Sequence, residues 1–154
     1  MKHSNIPGRI FTAIIAGAVL AGIHAQALAE AATDAKPMEL RKIMKDLGKN
    51  MQAVTDGISR EDWEQVAKIA PLIADHPQPP LGEKVRILSF IGKDTGKFKG
   101  YDEKVHQAAT AMQESAVRRD GTGVIAAFAN VQTSCFGCHQ SFRKPFVEHF
   151  YAQH

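Results

Sequence analysis

The residues with the clearest capacity for chemistry are two cysteines and a histidine near the end of the chain, in Cys135-Phe136-Gly137-Cys138-His139. In a helical segment Cys135, Cys138 and His139 stand at positions i, i+3 and i+4, on one face. Two thiols at this spacing, followed directly by an imidazole, are the attachment signature of a c-type haem. The sequence therefore predicts one covalent haem c, held by thioether bonds to Cys135 and Cys138, with His139 binding the iron. These are the only 2 cysteines in the chain.

Other interpretations of the cysteines compete with haem attachment. A redox-active dithiol usually belongs to a strand-rich setting, whereas no strand is evident near this pair. A zinc site could combine Cys135 and Cys138 with His149 and His154, but the intervening segment is shorter than the usual spacing of about twelve residues. Zinc binding would also give His139 no role. A chance arrangement would give no role to Cys135, Cys138 or His139. The motif favours haem.

The start of the chain has the layout of a secretory signal peptide. Lys2, His3 and Arg9 precede an apolar run, residues 10–23, and small residues follow it. We predict a signal peptide over residues 1–29, with cleavage after Ala29 or, alternatively, Ala27. The apolar run is shorter than the roughly 18 residues expected of a membrane-spanning helix, although an uncleaved anchor stays an alternative. Export places the mature protein, residues 30–154, in the periplasm, without stable membrane insertion after cleavage.

Charge gives little sign of a nucleic-acid partner. The formal net charge of the whole chain is +3, and loss of Lys2 and Arg9 with the signal peptide lowers it to +1. Basic and acidic residues alternate along the mature chain, so no large basic patch is predicted. We expect no binding to nucleic acid.

Apolar residues recur with helical spacing through most of the mature chain. Ser59 and Asp62 resemble a capping box that opens the second helix, and Pro71 is expected to kink or end it. Residues 83–91 fit a short helix, with a strand as the less favoured alternative. The four main helices are predicted over residues 37–58, from residue 59, over 101–119 and from residue 122 or 123.

The fourth predicted helix carries the Cys-Phe-Gly-Cys-His segment. Pro145 is expected to kink or end this helix, leaving residues 146–154 as an aromatic-rich tail. Four amphipathic helices in one domain predict an all-α, antiparallel four-helix bundle, an architecture that holds cofactors between facing helices.

The pattern resembles the class II cytochromes c, the cytochrome c′ family. The resemblance rests on Cys-x-x-Cys-His-x-x-Phe-Arg at residues 135–143 and on Met44-x-x-Leu47-Gly48-x-Asn50-Met51 in the first helix. It implies a four-helix bundle with the haem near the C-terminus, His139 as the proximal iron ligand and Arg143 over the proximal face. The chain departs from the family in one respect: Leu40 stands where many members carry an arginine that meets a haem propionate.

The resemblance also makes Met44 the residue that faces the distal side of the iron. Family members with methionine there are low-spin electron carriers, and members with a non-ligating residue bind small gases. Methionine is a soft thioether ligand, but a methionine in an apolar helical stripe is more often core filler. Met51 is the next candidate for a haem contact, ahead of Met38 and Met112.

These observations predict a periplasmic electron-transfer protein with His139 and Met44 as axial ligands. The alternative is a five-coordinate haem protein that binds NO or CO at a vacant distal site, with Met44 serving as packing. No constellation of acid, base and nucleophile is evident, so we predict that the protein is not an enzyme. Redox proteins are its expected partners, and pairing into homodimers is left open.

Overall fold

The computed structural model describes residues 38–151, and most of these residues are helical, as the spacing of the apolar residues predicts. The predicted signal peptide lies outside these residues. Within them every regular element is helical, and none of the helices is long and apolar enough to cross a membrane. The helices are α1 (Glu39–Ser59), α2 (Trp63–Ala74), α3 (Leu81–Ile91), α4 (Thr95–Val117) and α5 (Gly121–Tyr151), with a 3₁₀ turn at Gly92–Asp94.

Four of these helices form the bundle, which confirms the predicted fold class. Short connections at residues 60–62 and 118–120 reverse the chain, so α1 and α2 run antiparallel, as do α4 and α5. α4 packs along both α2 and α5, and α1 packs on α2. By contrast, α1 and α5 approach each other at few points. The short helix α3 confirms the helical interpretation of residues 83–91.

The start of α2 differs from the predicted capping box. Ser59 is the last residue of α1, and its hydroxyl donates a hydrogen bond to the Thr55 carbonyl oxygen at 2.9 Å. Asp62 is the N-cap of α2 instead, because its Oδ1 accepts the backbone N–H of Gln65 at 3.0 Å. Aspartate is one of the most favourable N-cap residues, so Asp62 caps α2 without a contribution from Ser59.

Neither proline ends its helix, so an end at Pro71 or Pro145 was the wrong expectation. α2 continues past Pro71 to Ala74, and α5 continues past Pro145 to Tyr151, which makes the predicted aromatic tail helical. An internal proline costs a helix about 3 kcal/mol. Ile73 and Phe146, which follow the two prolines, are 1% and 9% exposed, and burial of such side chains offsets most of that cost.

The third predicted helix begins six residues too late. α4 starts at Thr95 rather than Tyr101, and neither Gly96 nor Gly100 interrupts it. Glycine disfavours a helix by only about 1 kcal/mol, and packing of Phe98 against Phe142, with ring centroids 5.4 Å apart, favours the longer helix. α5 likewise begins slightly early, at Gly121.

The core is divided into two hydrophobic clusters. The first cluster occupies the closed end of the bundle, where the short connections are, and includes Val54, Val66, Val105, Met112 and Val131. The second cluster joins the start of α1 to α3 and the end of α5; its buried members are Met38, Ile87, Ile91 and Phe146, with Leu40, Phe98 and Phe142 among those packed against them.

Between the two clusters lies a level of the bundle that belongs to neither. On α1 it runs from residue 41 to 46, on α4 from 99 to 104, and on α5 from 136 to 141. We call these three segments the intercluster level. Ile43 is buried there, with 4% of its surface exposed, but it is part of neither cluster. The two hydrophobic clusters are therefore separated by one level of the bundle.

Candidate functional site

The Cys-Phe-Gly-Cys-His segment lies inside α5, so its helical geometry is present. Cys135, Cys138 and His139 share one helical face because they stand at i, i+3 and i+4 of a continuous helix. Both cysteines are free thiols of intermediate exposure, and Cys135 packs against the edge of the first cluster. Both thiols are therefore partly accessible to solvent on the surface of α5.

Met44 and His139 lie at the same height of the bundle, on different helices. Met44 belongs to the α1 segment of the intercluster level, and His139 belongs to its α5 segment. The contact between Tyr101 and Gly137, described below, joins the α4 and α5 segments directly. The structure therefore places the predicted proximal and distal residues in segments that both lie between the two clusters.

Exposure separates Met44 from the other methionines in the described chain. Met112 is fully buried and Met38 is 8% exposed, while Met51 is half-buried against the first cluster. Met44 lies three residues before Leu47 on the apolar side of α1, yet it is 40% exposed. Met44 is therefore the most exposed methionine of the described residues, and its thioether is accessible to a ligand.

The protonation states at the motif suit metal binding by the imidazole and not redox reactivity of the thiols. Partial burial of the ring, at a position that is exposed overall, lowers the pKa of His139, and the Arg143 guanidinium lowers it further. Neutral imidazole is the form that binds a metal. Burial raises the pKa of the Cys138 thiol to about 11, with smaller contributions from Cys135 and Asp102, and burial also raises the pKa of Cys135.

The other two predicted contact residues occupy different environments. Arg143 is exposed one turn beyond His139 and close enough to lower the pKa of its imidazole. Met51 lies two turns beyond Met44 on α1, packed against the first cluster rather than at the intercluster level. Arg143 is therefore placed beside the motif, whereas Met51 lies beyond the height of His139.

Tyr101 packs directly against the backbone of the motif. A Cβ atom built on Gly137 would lie 2.7 Å from Tyr101 Cε1, closer than real Cβ contacts. The glycine between the two cysteines thus lets the α4 ring approach α5. The Lys104 ammonium lies over the same ring, 5.7 Å from its centroid. Sequence reasoning placed Tyr101 in the core but did not pair it with Gly137, because no spacing rule links residues on different helices.

A histidine–aspartate pair next to the motif was also missed. His76 Nε2 lies 3.0 Å from Asp102 Oδ1, and the two side chains line an open pocket of about 400 Å³ together with His106. The hydrogen bond to Asp102 raises the pKa of His76, and the hydrogen bond to His76 lowers the pKa of Asp102. The Asp102 charge also contributes to the raised pKa of Cys138. His76 follows α2 in a proline-rich segment, and the sequence pattern there predicts only the end of a helix.

The competing uses of the cysteines find little support in this geometry. A reactive dithiol relies on a lowered thiol pKa, whereas burial raises both. The His149 ring, which the zinc interpretation needs, stacks on Phe90 with centroids 4.3 Å apart, and His154 lies outside the described residues. Within residues 38–151 no three His, Cys, Asp or Glu side chains are arranged to hold a metal ion.

The donor set and its surroundings fit a haem. Two free thiols, an imidazole whose pKa is lowered and a partly exposed thioether lie at or next to the level between the two clusters. Cys135 and Cys138 would hold the porphyrin, His139 would bind the iron from α5, and the apolar side chains of both clusters would border the macrocycle.

Comparison with known proteins agrees with this assignment. Searches among curated proteins and among solved structures gave no significant match. A family model described as Cytochrome C′ matches residues 37–143, more than half of the chain, from just before α1 to Arg143. This stretch contains the whole intercluster level and the complete Cys-Phe-Gly-Cys-His segment. The chain therefore belongs to the cytochrome c′ family, whose members are haem proteins.

Proposed function

We propose that this protein is a periplasmic electron carrier with one covalent haem c, attached at Cys135 and Cys138, and with His139 and Met44 as axial ligands. One observation carries the proposal: Met44, on the apolar side of α1, is 40% exposed at the same level of the bundle as His139. A thioether in this position can approach a ring bound between α1 and α5 from the side opposite His139.

The roles of the protein side chains follow from their placement. A bound haem would supply one-electron chemistry, because its iron accepts and releases an electron. His139 and Met44 each belong to a long helix of the bundle, so their positions need not change when the charge of the site changes. A thioether is a soft ligand that favours the reduced state and raises the reduction potential. The apolar side chains of the two clusters would border the ring on either side.

Export and partners complete the proposal. Residues 1–29 would direct the chain to the periplasm and be removed after Ala29 or Ala27, leaving residues 30–154 as the mature protein. Intact-mass spectrometry of the periplasmic protein tests this point, because one mass reports both the cleavage site and one covalent haem. Redox proteins are the proposed partners, and the protein carries electrons without performing catalysis.

A gas-binding protein is the second candidate, and one observation favours it. Met44 is not enclosed by packing, and α1 approaches α5 at few points. A small diatomic molecule could then occupy the distal position while Met44 remains a surface side chain.

The absorption spectrum of the holoprotein separates the two functions. Ligation by Met44 predicts a weak band at about 695 nm in the oxidised form and sharp bands in the reduced form. Met44→Ala should remove that band and give a high-spin protein that binds carbon monoxide, while Met51→Ala should leave the spectrum unchanged. A high-spin wild type that binds carbon monoxide readily would contradict axial ligation by Met44. Failure to attach haem in the presence of maturation factors would contradict the whole proposal.

A further inference from the structure

His76 joins the connection that follows α2 to helix α4. Its Nε2 lies 3.0 Å from Asp102 Oδ1, and its Nδ1 lies 3.1 Å from the Pro77 carbonyl oxygen. Both partners are acceptors, because a carbonyl group and an ionised carboxylate have no hydrogen to donate. A neutral imidazole has one N–H and serves only one of them, whereas the protonated ring donates to both. The geometry therefore favours the imidazolium form of His76.

Protonation of His76 decides the net charge of this pair. When the ring is protonated, it neutralises the Asp102 carboxylate, and loss of the proton leaves that negative charge uncompensated. The side chain of His76 is 11% exposed and that of Asp102 is 50% exposed. Solvent and salt screen partly buried charges less than fully exposed ones. Titration of one ring thus changes the local charge by one unit at a place where the change is felt by neighbouring groups.

Asp102 connects the pair to the haem-attachment segment. It follows Tyr101, whose ring packs against the backbone of Gly137 between the two cysteines. Asp102 belongs to the α4 segment of the intercluster level, and Cys138 belongs to its α5 segment. Burial is the main cause of the raised pKa of the Cys138 thiol, and the charges of Cys135 and Asp102 raise it further. The charge of the pair therefore acts on the second attachment point.

Four other titratable groups lie around the pair, on three parts of the chain: Asp75 after α2, Lys84 of α3, and Glu103 and His106 of α4. The hydrogen bond to Asp102 is the main cause of the raised pKa of His76, and the Asp75 charge adds to it. The hydrogen bond to His76 is the main cause of the lowered pKa of Asp102, and Lys84 and His106 add to it. The two members of the pair are thus each other's strongest partner.

We propose that His76 and Asp102 link reduction of the bound haem to uptake of a proton, so that the reduction potential depends on pH. When a redox partner supplies one electron to the iron, the positive charge near the pair falls by one unit. His76 then binds its second ring proton, which comes from solvent, more tightly. By linkage the potential falls as pH rises through the titration of His76. The proposal rests on the covalent, redox-active haem of the proposed function, but not on ligation by Met44.

Potentiometric titration of the holoprotein from about pH 5.5 to 9.5 tests this link. We expect His76 to bind its proton at least about threefold more tightly in the reduced protein than in the oxidised protein. At about 59 mV per tenfold change for one electron, the wild-type potential should fall by at least about 28 mV more than that of His76→Gln over this range. The control His149→Gln, which removes a histidine stacked on Phe90, should follow the wild type.

NMR titration of the His76 ring measures the same link from the side of the proton. The ring resonances are identified by their absence in His76→Gln, and the pKa of His76 should be higher in the reduced holoprotein than in the oxidised one, by the factor that the potentials give. In Asp102→Asn the ring loses its charged acceptor, so His76 should titrate at lower pH in both states. The pH range over which the potential falls should move down with it, an effect that a purely structural role of Asp102 does not produce.

The outcomes separate this link from the proposed function. Equal pH dependence of the potential in wild type and His76→Gln would overturn the link, and so would equal loss of that dependence in His149→Gln. If His76→Gln does not fold, Asp102→Asn decides, because a pH profile identical to that of wild type would overturn the link. A wild type without covalent haem or without reversible reduction would overturn the proposed function as well. A reversible potential that does not depend on His76 would overturn the proton link alone.

Discussion

Glu83 caps the first bundle helix at Leu40 from a different part of the chain. The backbone N–H of Leu40 donates to Glu83 Oε1 at 2.7 Å, and that of Glu39 donates to Oε2 at 2.8 Å. Met38, the N-cap residue, makes no side-chain cap hydrogen bond. The carboxylate of α3 thus satisfies two free N–H groups and places a negative charge at the positive end of the helix dipole. It fixes α3 across the start of α1, one turn before Met44.

Removal of this cap should destabilise the second cluster, where α3 meets the start of α1. Glu83→Ala is expected to lower the free energy of unfolding by about 1–2 kcal/mol, because two backbone donors lose a charged partner. Glu83→Gln should cost roughly half as much, since one acceptor oxygen remains. Urea denaturation of the holoprotein measures both. Glu64→Ala, an exposed acid in the first turn of α2, is the control and should stay within about 0.5 kcal/mol of wild type.

Substitution of Gly137 should reveal its contact with Tyr101. Gly137→Ala places a Cβ atom 2.7 Å from Tyr101 Cε1, and we expect a loss of about 1–3 kcal/mol in stability. In a Tyr101→Ala background the same substitution should cost little, so a double-mutant cycle by thermal unfolding should show a coupling of at least about 1 kcal/mol.

The control for this cycle is Gly100→Ala on α4, where a Cβ atom would meet nothing within 4 Å. That variant should be neutral or more stable by up to about 1 kcal/mol, because alanine favours a helix. Additive effects of Gly137→Ala and Tyr101→Ala would show that the ring yields without cost.

Met112 should behave as core, unlike Met44. Its side chain is fully buried in the first cluster, and Met112→Ala should lower the free energy of unfolding by about 2–4 kcal/mol without removing Met44, the proposed iron ligand. The absorption spectrum should therefore keep its wild-type form while the urea midpoint falls. Val85→Ala, at a position 55% exposed, is the control and should hardly change that midpoint. Loss of the low-spin spectrum in Met112→Ala would argue against a purely structural role.

The pair of His76 and Asp102 should make stability depend on pH. The raised pKa of His76 means that its contribution is full below about pH 6.5 and is lost as pH rises through the raised value. The lowered pKa of Asp102 means that its contribution is full above about pH 4 and is lost as pH falls through the lowered value. Asp102→Asn should thus cost most between about pH 4 and 6.5.

The expected cost in that window is about 0.5–1 kcal/mol, discounted because Asp102 is half exposed. At pH 9 the wild type and Asp102→Asn should differ less in denaturant unfolding. Asp94→Asn, which removes an acid in the turn before α4, should show no such dependence. A difference between wild type and Asp102→Asn that is constant from pH 5 to 9 would contradict a charged pair.

The local parts of the site could be predicted from the sequence, and the contacts between helices could not. Cys135, Cys138 and His139 are neighbours on one helix, where helical periodicity determines the shared face. Tyr101 and Gly137 meet only because α4 packs on α5, and sequence spacing carries no sign of it. The prolines misled for a related reason: a local rule predicts a helix end at Pro145, but burial of Phe146 offsets most of the cost of the proline.

A core in two parts also allows the molecule to open at one end. The second cluster is small and draws on α3, the start of α1, the start of α4 and the end of α5. Local separation of that cluster would expose the side of the site that faces Met44 while the first cluster and the cysteines stay folded. Amide hydrogen exchange should therefore be faster in α3 than in residues 105–116 of α4. Access to the iron would then be controlled by the stability of one end of the bundle, and not by unfolding of the whole protein.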